Sequence, residues 1–404
     1  MNYKKSNLYI ENIPVQKIAR KFGTPSYCYS LNKLKSNIKN FRKHFKSISP
    51  MICFSVKSNA NLQILREIKK MGMGADVVSK GELIMALKAG INPKKIVFSG
   101  VGKTFDELKF AIDKNILLIN SESESEINEI EKISKIKKKK IDIGIRLNPN
   151  IDSKTLKKIS TGRKEDKFGL TEFNFLKIIK KYKNSKNLNL KCLSVHIGSQ
   201  ITSYKPYIKM LKVIESIIKK SNYNFDFIDL GGGMGIRYNK KTKKLNYKKY
   251  YTAIKNFLKN YKTKIIFEPG RSIIADSALL LTKILYIKKT NNINFIILDA
   301  AMNDLIRPAL YNAEHKIIAS KKNSKIVKKR HEFVGPICET TDKFLSVNKF
   351  QMLKEKEILS ICDVGAYGMS LSSNYNLRTK PSEILINKSS VKIIRKRQKL
   401  NNII

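Results

Sequence analysis

The run Cys53-Phe54-Ser55-Val56-Lys57-Ser58-Asn59 puts a lysine at the end of a short apolar stretch that begins at Met51 and Ile52, just after Pro50. Such a stretch reads as a buried strand that stops where Lys57 and Ser58 begin. A deprotonated amine there can form a Schiff base with an aldehyde or ketone. With 81 Lys and Arg residues in the chain, a solvated surface lysine is the competing reading. Asp76 lies within the next apolar run, Ala75-Asp76-Val77-Val78, and could touch a catalytic group. Ser79 and Glu82 follow it, and their spacing reads as a helix cap with Glu82 completing a capping box.

Three more clusters sit at the ends of apolar runs. His196-Ile197-Gly198-Ser199-Gln200 offers an imidazole that could stack on a planar ring or serve as a hydrogen-bonded structural histidine. Gly231-Gly232-Gly233-Met234-Gly235 follows Asp229-Leu230, and a glycine-dense turn of this kind can wrap an anion such as phosphate. Its spacing is not G-x-G-x-x-G, so a dinucleotide site is not indicated. Glu268-Pro269-Gly270-Arg271 offers a carboxylate that could keep a pyridine nitrogen protonated, and a guanidinium for a phosphate or carboxylate. An internal Glu268–Arg271 pair is the plainer alternative. Later in the chain, Asn303–Tyr311, Gly335–Asp342 and Asp363–Met369 place Arg307, Cys338 with Glu339, and Tyr367 in turn-like surroundings, which turn chemistry alone could explain.

The elements that must carry these groups alternate. Strands are expected at 51–57, 74–78, 96–99, 116–120, 141–147, 192–197, 225–230 and 264–268. Helices are expected at 61–71, 80–89, 104–113, 123–137, 171–182, 206–220 and 247–260. Eight strands with helices between them, and polar groups at the strand ends, predict an α/β fold: a (β/α)8 barrel over 26–274, with 148–170 as a loop above the active-site face. A doubly wound open sheet is the alternative. Beyond Arg271 the pattern turns strand-rich, with candidates at 278–288, 293–299, 333–337, 358–363 and 384–387. Residues 275–404, joined by 1–25, read as a second, β-rich domain, with a basic and frayed end at 392–404.

Composition narrows the function classes. Hydrophobic residues make up 42% of the 404, enough for a globular enzyme with a large core. No run spans a bilayer and the amino terminus lacks a secretory apolar region, so a cytoplasmic protein without a membrane partner is expected. The net charge of +49 comes from lysines spread through an Ile- and Asn-rich chain, which points to nucleotide composition rather than to a nucleic-acid site. Five widely spaced Cys and four His form no metal-ligand pattern or disulfide framework.

Taken in order from the strand at 51 to Ser372-Ser373-Asn374-Tyr375-Asn376, these motifs resemble the fold-type III decarboxylases dependent on pyridoxal 5'-phosphate (PLP), most closely the branch acting on meso-2,6-diaminopimelate. The resemblance implies that Lys57 carries PLP, that His196 stacks on its ring and that Glu268 bonds the pyridine nitrogen. Gly231, Gly232, Gly233, Gly235, Gly270, Arg271, Ser199 and Tyr367 would hold the cofactor, with Asp76 near Lys57. Arg271, Arg307, Tyr311, Glu339, Tyr367 and Tyr375 would bind substrate, the arginines taking the distal carboxylate and Glu339 the ammonium. Cys338 or Lys57 would return the proton, with Cys338 favoured. A homodimer is implied, in which Cys338 and Glu339 complete the partner's site. The implied reaction releases carbon dioxide and L-lysine, the last step of lysine biosynthesis. The same scaffold acting on ornithine, arginine or carboxynorspermidine is the alternative. The chain departs from the family at Ser58, commonly Ala, and at Thr340-Thr341, where a glycine commonly precedes the Asp.

Overall fold

The computed structural model describes residues 1–153, 155–239 and 242–404, so Lys154 of the 148–170 loop lies outside the described residues. The chain divides into two compact units: residues 39–236 with 243–272, and residues 1–38 with 237–242 and 273–404.

The first unit is a closed barrel of eight parallel strands. In chain order they are Met51–Ser55, Gly74–Val77, Ile96–Phe98, Leu118–Ser121, Ile141–Arg146, Leu188–Ser194, Phe227–Asp229 and Lys264–Phe267. The last strand pairs with the first through Ile266–Met51 and Phe267–Ile52, which closes the barrel and excludes the open sheet. The sixth strand starts four residues earlier than the 192 expected, because Leu188–Leu190 pair with Ile141–Ile143 ahead of a bulge at Leu190/Cys192. Cys53, Val97, Leu118, Cys192 and Ile266 form an apolar cluster built from five of the strands.

The helices between strands begin where side chains can cap them. Ser79, Thr104, Ser123 and Thr171 each accept from the backbone N–H three residues on. Thr104 and Glu107 make a full capping box. Ser79 caps as expected, but the Glu82 carboxylate reaches one residue further back and accepts from Val78 N at 2.9 Å. Glu82 therefore ties the helix to the end of the second strand, beside Asp76.

The second unit is built on a nine-stranded sheet. Its long central strand, Ala278–Lys289, pairs with Ser26–Ser30 and Ile358–Cys362 along its first half and with Ile293–Leu298 along its second. Leu8, Ile10, Ile13, Val15, Ile18 and Cys28 share a core with Leu279, Leu281, Ile384 and Ile386. The carboxyl end is ordered where fraying was expected. Ser390–Arg395 is a strand paired with Ser382–Asn387, and Arg397 Nη2 donates to Pro25 O at 2.7 Å. Its basic alternation is that of an edge strand, whose exposed face carries charge. Strands at Ile317–Ala319 and Lys343–Val347 escaped the sequence pattern because each is only three to five residues long.

Candidate active site

The carboxyl ends of the barrel strands gather the polar residues. Lys57 lies in a single 3-10 turn, Val56–Ser58, directly after the first strand. Its Nζ sits 3.5 Å from Asp76 Oδ2. The register places Ser55 beside Asp76, and Ser55 Oγ donates to the same oxygen at 2.5 Å. Asp76 is fully buried, and its Oδ1 has no hydrogen-bond partner among the described residues. A buried carboxylate oxygen left open beside an amine marks a place for another group.

His196 follows the sixth strand. Gly232 N donates to its Nδ1 at 3.2 Å, so that nitrogen is the acceptor and the neutral ring carries its proton on Nε2. Desolvation, with the positive charges of Lys57 and Arg146, holds the imidazole well below its ordinary pKa. The ring is thus neutral and aimed by the glycine turn. Gly231 and Gly233 have φ of 62° and 84°, and a Cβ on Gly231 would stand 2.6 Å from His196 Nδ1. Much of the turn's N–H capacity is used internally. Gly231 N donates to Asp229 Oδ1 at 2.9 Å, Gly232 N to His196, and Gly235 N to Ile201 O at 3.0 Å. The glycines therefore serve close approach as well as any anion. Arg271 is buried, and its Nη2 donates to Ser199 Oγ at 3.2 Å. Gly270 packs on Ser55 and Ser58, where a Cβ would lie 3.0 Å from each.

Glu268, after the eighth strand, is not bound up with Arg271 as the internal-pair reading had it. It lies instead beside the buried Asp229, whose negative charge acts on it. Ser99 Oγ also lies 3.5 Å from Glu268 Oε1. Burial pushes the Glu268 carboxyl well above its ordinary pKa, and the charges of Asp229 and Asp76 push it further. Asp229 is held by Asn120 Nδ2 at 3.0 Å and Ser194 Oγ at 3.1 Å. The pair therefore keeps a proton near neutral pH, because two buried carboxylates in contact do not both ionise.

In the β-rich unit, three turns are drawn together. Asp342 accepts from Met302 N at 2.7 Å and from Ile337 N at 2.8 Å. Ser373 N donates to Asn303 O at 3.0 Å. Tyr375 donates its hydroxyl to Glu339, and Thr341 Oγ1 adds a bond to the other oxygen at 3.0 Å. The Tyr375 bond leads in holding the Glu339 carboxyl below its usual pKa. Cys338, Glu339 and Tyr375 thus belong to one set of linked turns, with Cys338 and Glu339 exposed, while Arg307 and Tyr311 lie on the short helix Arg307–Tyr311 that follows the Asn303 turn. Tyr367 has a φ of 58° in the neighbouring turn, where Gly368 packs on Tyr27, whose hydroxyl donates to Asp304 O at 2.6 Å. Thr340 and Thr341 are not among the positive-φ residues, so the turn needs no glycine there.

A family model described as the pyridoxal binding domain of the pyridoxal-dependent decarboxylases matches residues 31–275. A diaminopimelate decarboxylase of Aquifex aeolicus is 40% identical across all of this chain and 96% of its own length. The chain belongs to the diaminopimelate decarboxylase family. The crystal structure of the Helicobacter pylori diaminopimelate decarboxylase complexed with L-lysine superposes with a TM-score of 0.91 at 40% identity, covering 96% of this chain and 98% of that one. That of the M. jannaschii diaminopimelate decarboxylase in co-complex with L-lysine gives 0.94 at 35% identity, covering 100% of this chain and 96% of that one.

The chain is a pyridoxal-phosphate-dependent decarboxylase. The barrel residues suit that cofactor: an amine at Lys57, an open buried oxygen on Asp76, a proton-bearing acid at Glu268, and a turn at Gly231–Gly233 that a Cβ would block. Asp229 is the residue that sequence reasoning passed over. It stood in plain view ahead of the glycines, but only the strand register, with Asp229 beside Ile266, brings it to Glu268. Among the described residues no helix is long and apolar enough to cross a membrane.

Proposed function

We propose that this enzyme removes carbon dioxide from meso-2,6-diaminopimelate to give L-lysine, the last step of lysine biosynthesis, with Lys57 carrying the cofactor. The observation that carries the reading is Glu268, a buried acid whose raised pKa keeps a proton at the end of the eighth strand. Bound PLP supplies a pyridine ring that, once protonated, accepts the electron pair left as carbon dioxide departs. Glu268 would face that nitrogen, with the buried Asp229 beside it raising its pKa. An arginine there would leave the nitrogen unprotonated, which suits racemisation better than decarboxylation.

The remaining barrel residues orient and hold. The neutral His196 ring would stack on the face of the cofactor. Ser199, Arg271, Tyr367 and the glycines Gly231, Gly232, Gly233, Gly235 and Gly270 would hold its phosphate end. Asp76 receives the Lys57 ammonium, to which its Oδ2 is already close. Arg271 and Arg307 take the distal carboxylate of the substrate, Glu339 its ammonium, and Tyr311, Tyr367 and Tyr375 line the same end. Cys338 returns a proton to the reacting carbon, with Lys57 as the alternative donor.

The enzyme works in the cytoplasm as a homodimer in which Cys338 and Glu339 complete the partner's site. Their exposure on the β-rich unit supports this reading. Carbon dioxide release from meso-diaminopimelate, lysine, ornithine and arginine tests the substrate. Release from diaminopimelate alone is expected; release from another amino acid and none from diaminopimelate refutes it. The holoenzyme should also absorb near the visible edge, and Lys57→Ala should lose that band.

A further inference from the structure

Arg307 begins the short helix Arg307–Tyr311 and is buried. Its Nη1 lies 2.7 Å from His315 Nε2. The other ring nitrogen, His315 Nδ1, lies 2.8 Å from Cys362 O. A carbonyl oxygen only accepts, so Nδ1 carries the proton and donates. A guanidinium only donates, so Nε2 must accept. Both contacts are satisfied at once by one species, the neutral Nδ1–H tautomer. His315 is fully buried, which fixes the ring between these two partners.

A third group completes the holder. The Arg307 guanidinium lies over the Tyr238 ring, 4.9 Å from its centroid. The same tyrosine meets the His315 ring edge to face at 5.3 Å. One face of the guanidinium is therefore covered by an aromatic ring, and one edge is pinned by an imidazole. Cys362, at the end of strand Ile358–Cys362, supplies the fixed point, since its carbonyl belongs to a sheet strand paired with Ala278–Lys289. The arrangement ties a charged side chain to the sheet through an imidazole. A buried arginine needs its N–H groups bonded, but an acidic partner would neutralise it. An imidazole lone pair satisfies the N–H and leaves the positive charge intact.

We propose that His315 is the positioning residue that aims Arg307 at the distal carboxylate of the substrate, with Tyr238 as the platform beneath it. This rests on the substrate role assigned to Arg307 above. His315 touches neither cofactor nor substrate in this assignment. It fixes the orientation of the guanidinium, and so sets the preference for a diamino acid with two carboxylates.

The experiment uses the PLP-loaded enzyme and four variants: His315→Asn, His315→Gln, His315→Leu and Arg307→Ala. The Asn amide can still donate to Cys362 O but is too short to reach Arg307. The Gln amide reaches Arg307 and offers an oxygen acceptor. For each, KM and kcat with meso-diaminopimelate, inhibition by L-lysine (which retains the distal carboxylate), PLP affinity and Tm are measured. His315→Asn and His315→Leu should raise KM and the L-lysine inhibition constant by about 10-fold, the scale of one hydrogen bond to a charged group. PLP affinity should stay within about twofold, and kcat should change less than KM. His315→Gln should recover most of the loss. An equal loss in His315→Gln and His315→Asn, or a fall in PLP affinity and Tm that parallels the KM effect, would mean a packing role and overturn the assignment. If Arg307→Ala weakens L-lysine and the His315 variants do not, the assignment of His315 alone falls. If Arg307→Ala also leaves L-lysine inhibition unchanged, the substrate role of Arg307 falls and the assignment goes with it.

Discussion

Replacing Gly232 by Ala should weaken PLP binding through the backbone of Glu268. A Cβ on Gly232 would lie 2.2 Å from Glu268 O and 3.1 Å from Glu268 C. Ordinary contact begins at 3.4 Å, so the two backbones must part by roughly 1 Å. They cannot do so freely. Glu268 N donates to Gly231 O at 2.8 Å, and Gly232 N is bonded to His196. Overpacking of this kind costs about 1–3 kcal/mol. Because the displaced residues carry the pyridine acid and aim the stacking imidazole, most of that cost should appear as lost cofactor affinity. At about 1.4 kcal/mol per decade, PLP should bind roughly 10- to 100-fold more weakly. Gly102→Ala is the control, since nothing lies within 4 Å of its Cβ. The assay is titration of apoprotein with PLP, followed by absorbance, with Tm recorded for each variant. If Gly232→Ala binds PLP as tightly as Gly102→Ala does, the proposed coupling between the glycine turn and Glu268 is wrong.

Further outcomes follow from the same geometry. Glu268→Gln should lower kcat by about 10²-fold or more, the scale of a lost proton-transfer partner, while substrate KM changes little; an unchanged kcat would remove the acid from the reaction. Asp229→Asn should lower the apparent pKa of Glu268, read as a shift of the pH–rate profile to lower pH, because a buried acid loses its acidic neighbour. Glu82, Asp304 and Asp363 are each raised to about 7, with burial the largest cause. An acid raised on folding adds stability that is fully present below its unfolded pKa and lost as pH rises through the folded one, so apoprotein stability should fall between about pH 4 and pH 8. Glu82→Gln should remove up to about 3.5 kcal/mol of that fall, the rise from 4.5 to about 7 at about 1.4 kcal/mol per pH unit, as read by urea unfolding. Parallel pH curves for wild type and variant would count against it. Mixing Lys57→Ala with Cys338→Ala should restore some activity if sites are shared between protomers, and no recovery would refute the shared site.

The barrel was legible because its signals are local. An apolar run needs only its own residues to mark it as buried, and Lys57, His196, Asp229 and Glu268 each stand at the end of one. Capping is equally local, so Ser79 was read correctly. Glu82 was read one residue off, because its reach depends on where the preceding strand turns. The stretch 392–404 reads as fraying by sequence, since the charged face of the strand Ser390–Arg395 carries no apolar run and its partner strand decides its state.

By its own pattern, the sequence determined that eight apolar strands end in chemistry-bearing residues and that a glycine turn follows the seventh. Those are properties of short segments, set by side-chain periodicity and backbone sterics. Tertiary structure alone decided which of these groups face one another. Closure of Phe267 against Ile52 completes the ring of strand ends. Strand register makes Asp229 the partner of Glu268, leaves Asp76 beside Lys57, and uses the Gly232 N–H to hold His196. The same holds for His315, which meets Tyr238 from 77 positions earlier in the chain and Cys362 from 47 later. Pairings of this kind depend on distances through space, and the burial that raises an acid's pKa or orients an imidazole exists only once the strands have closed around it.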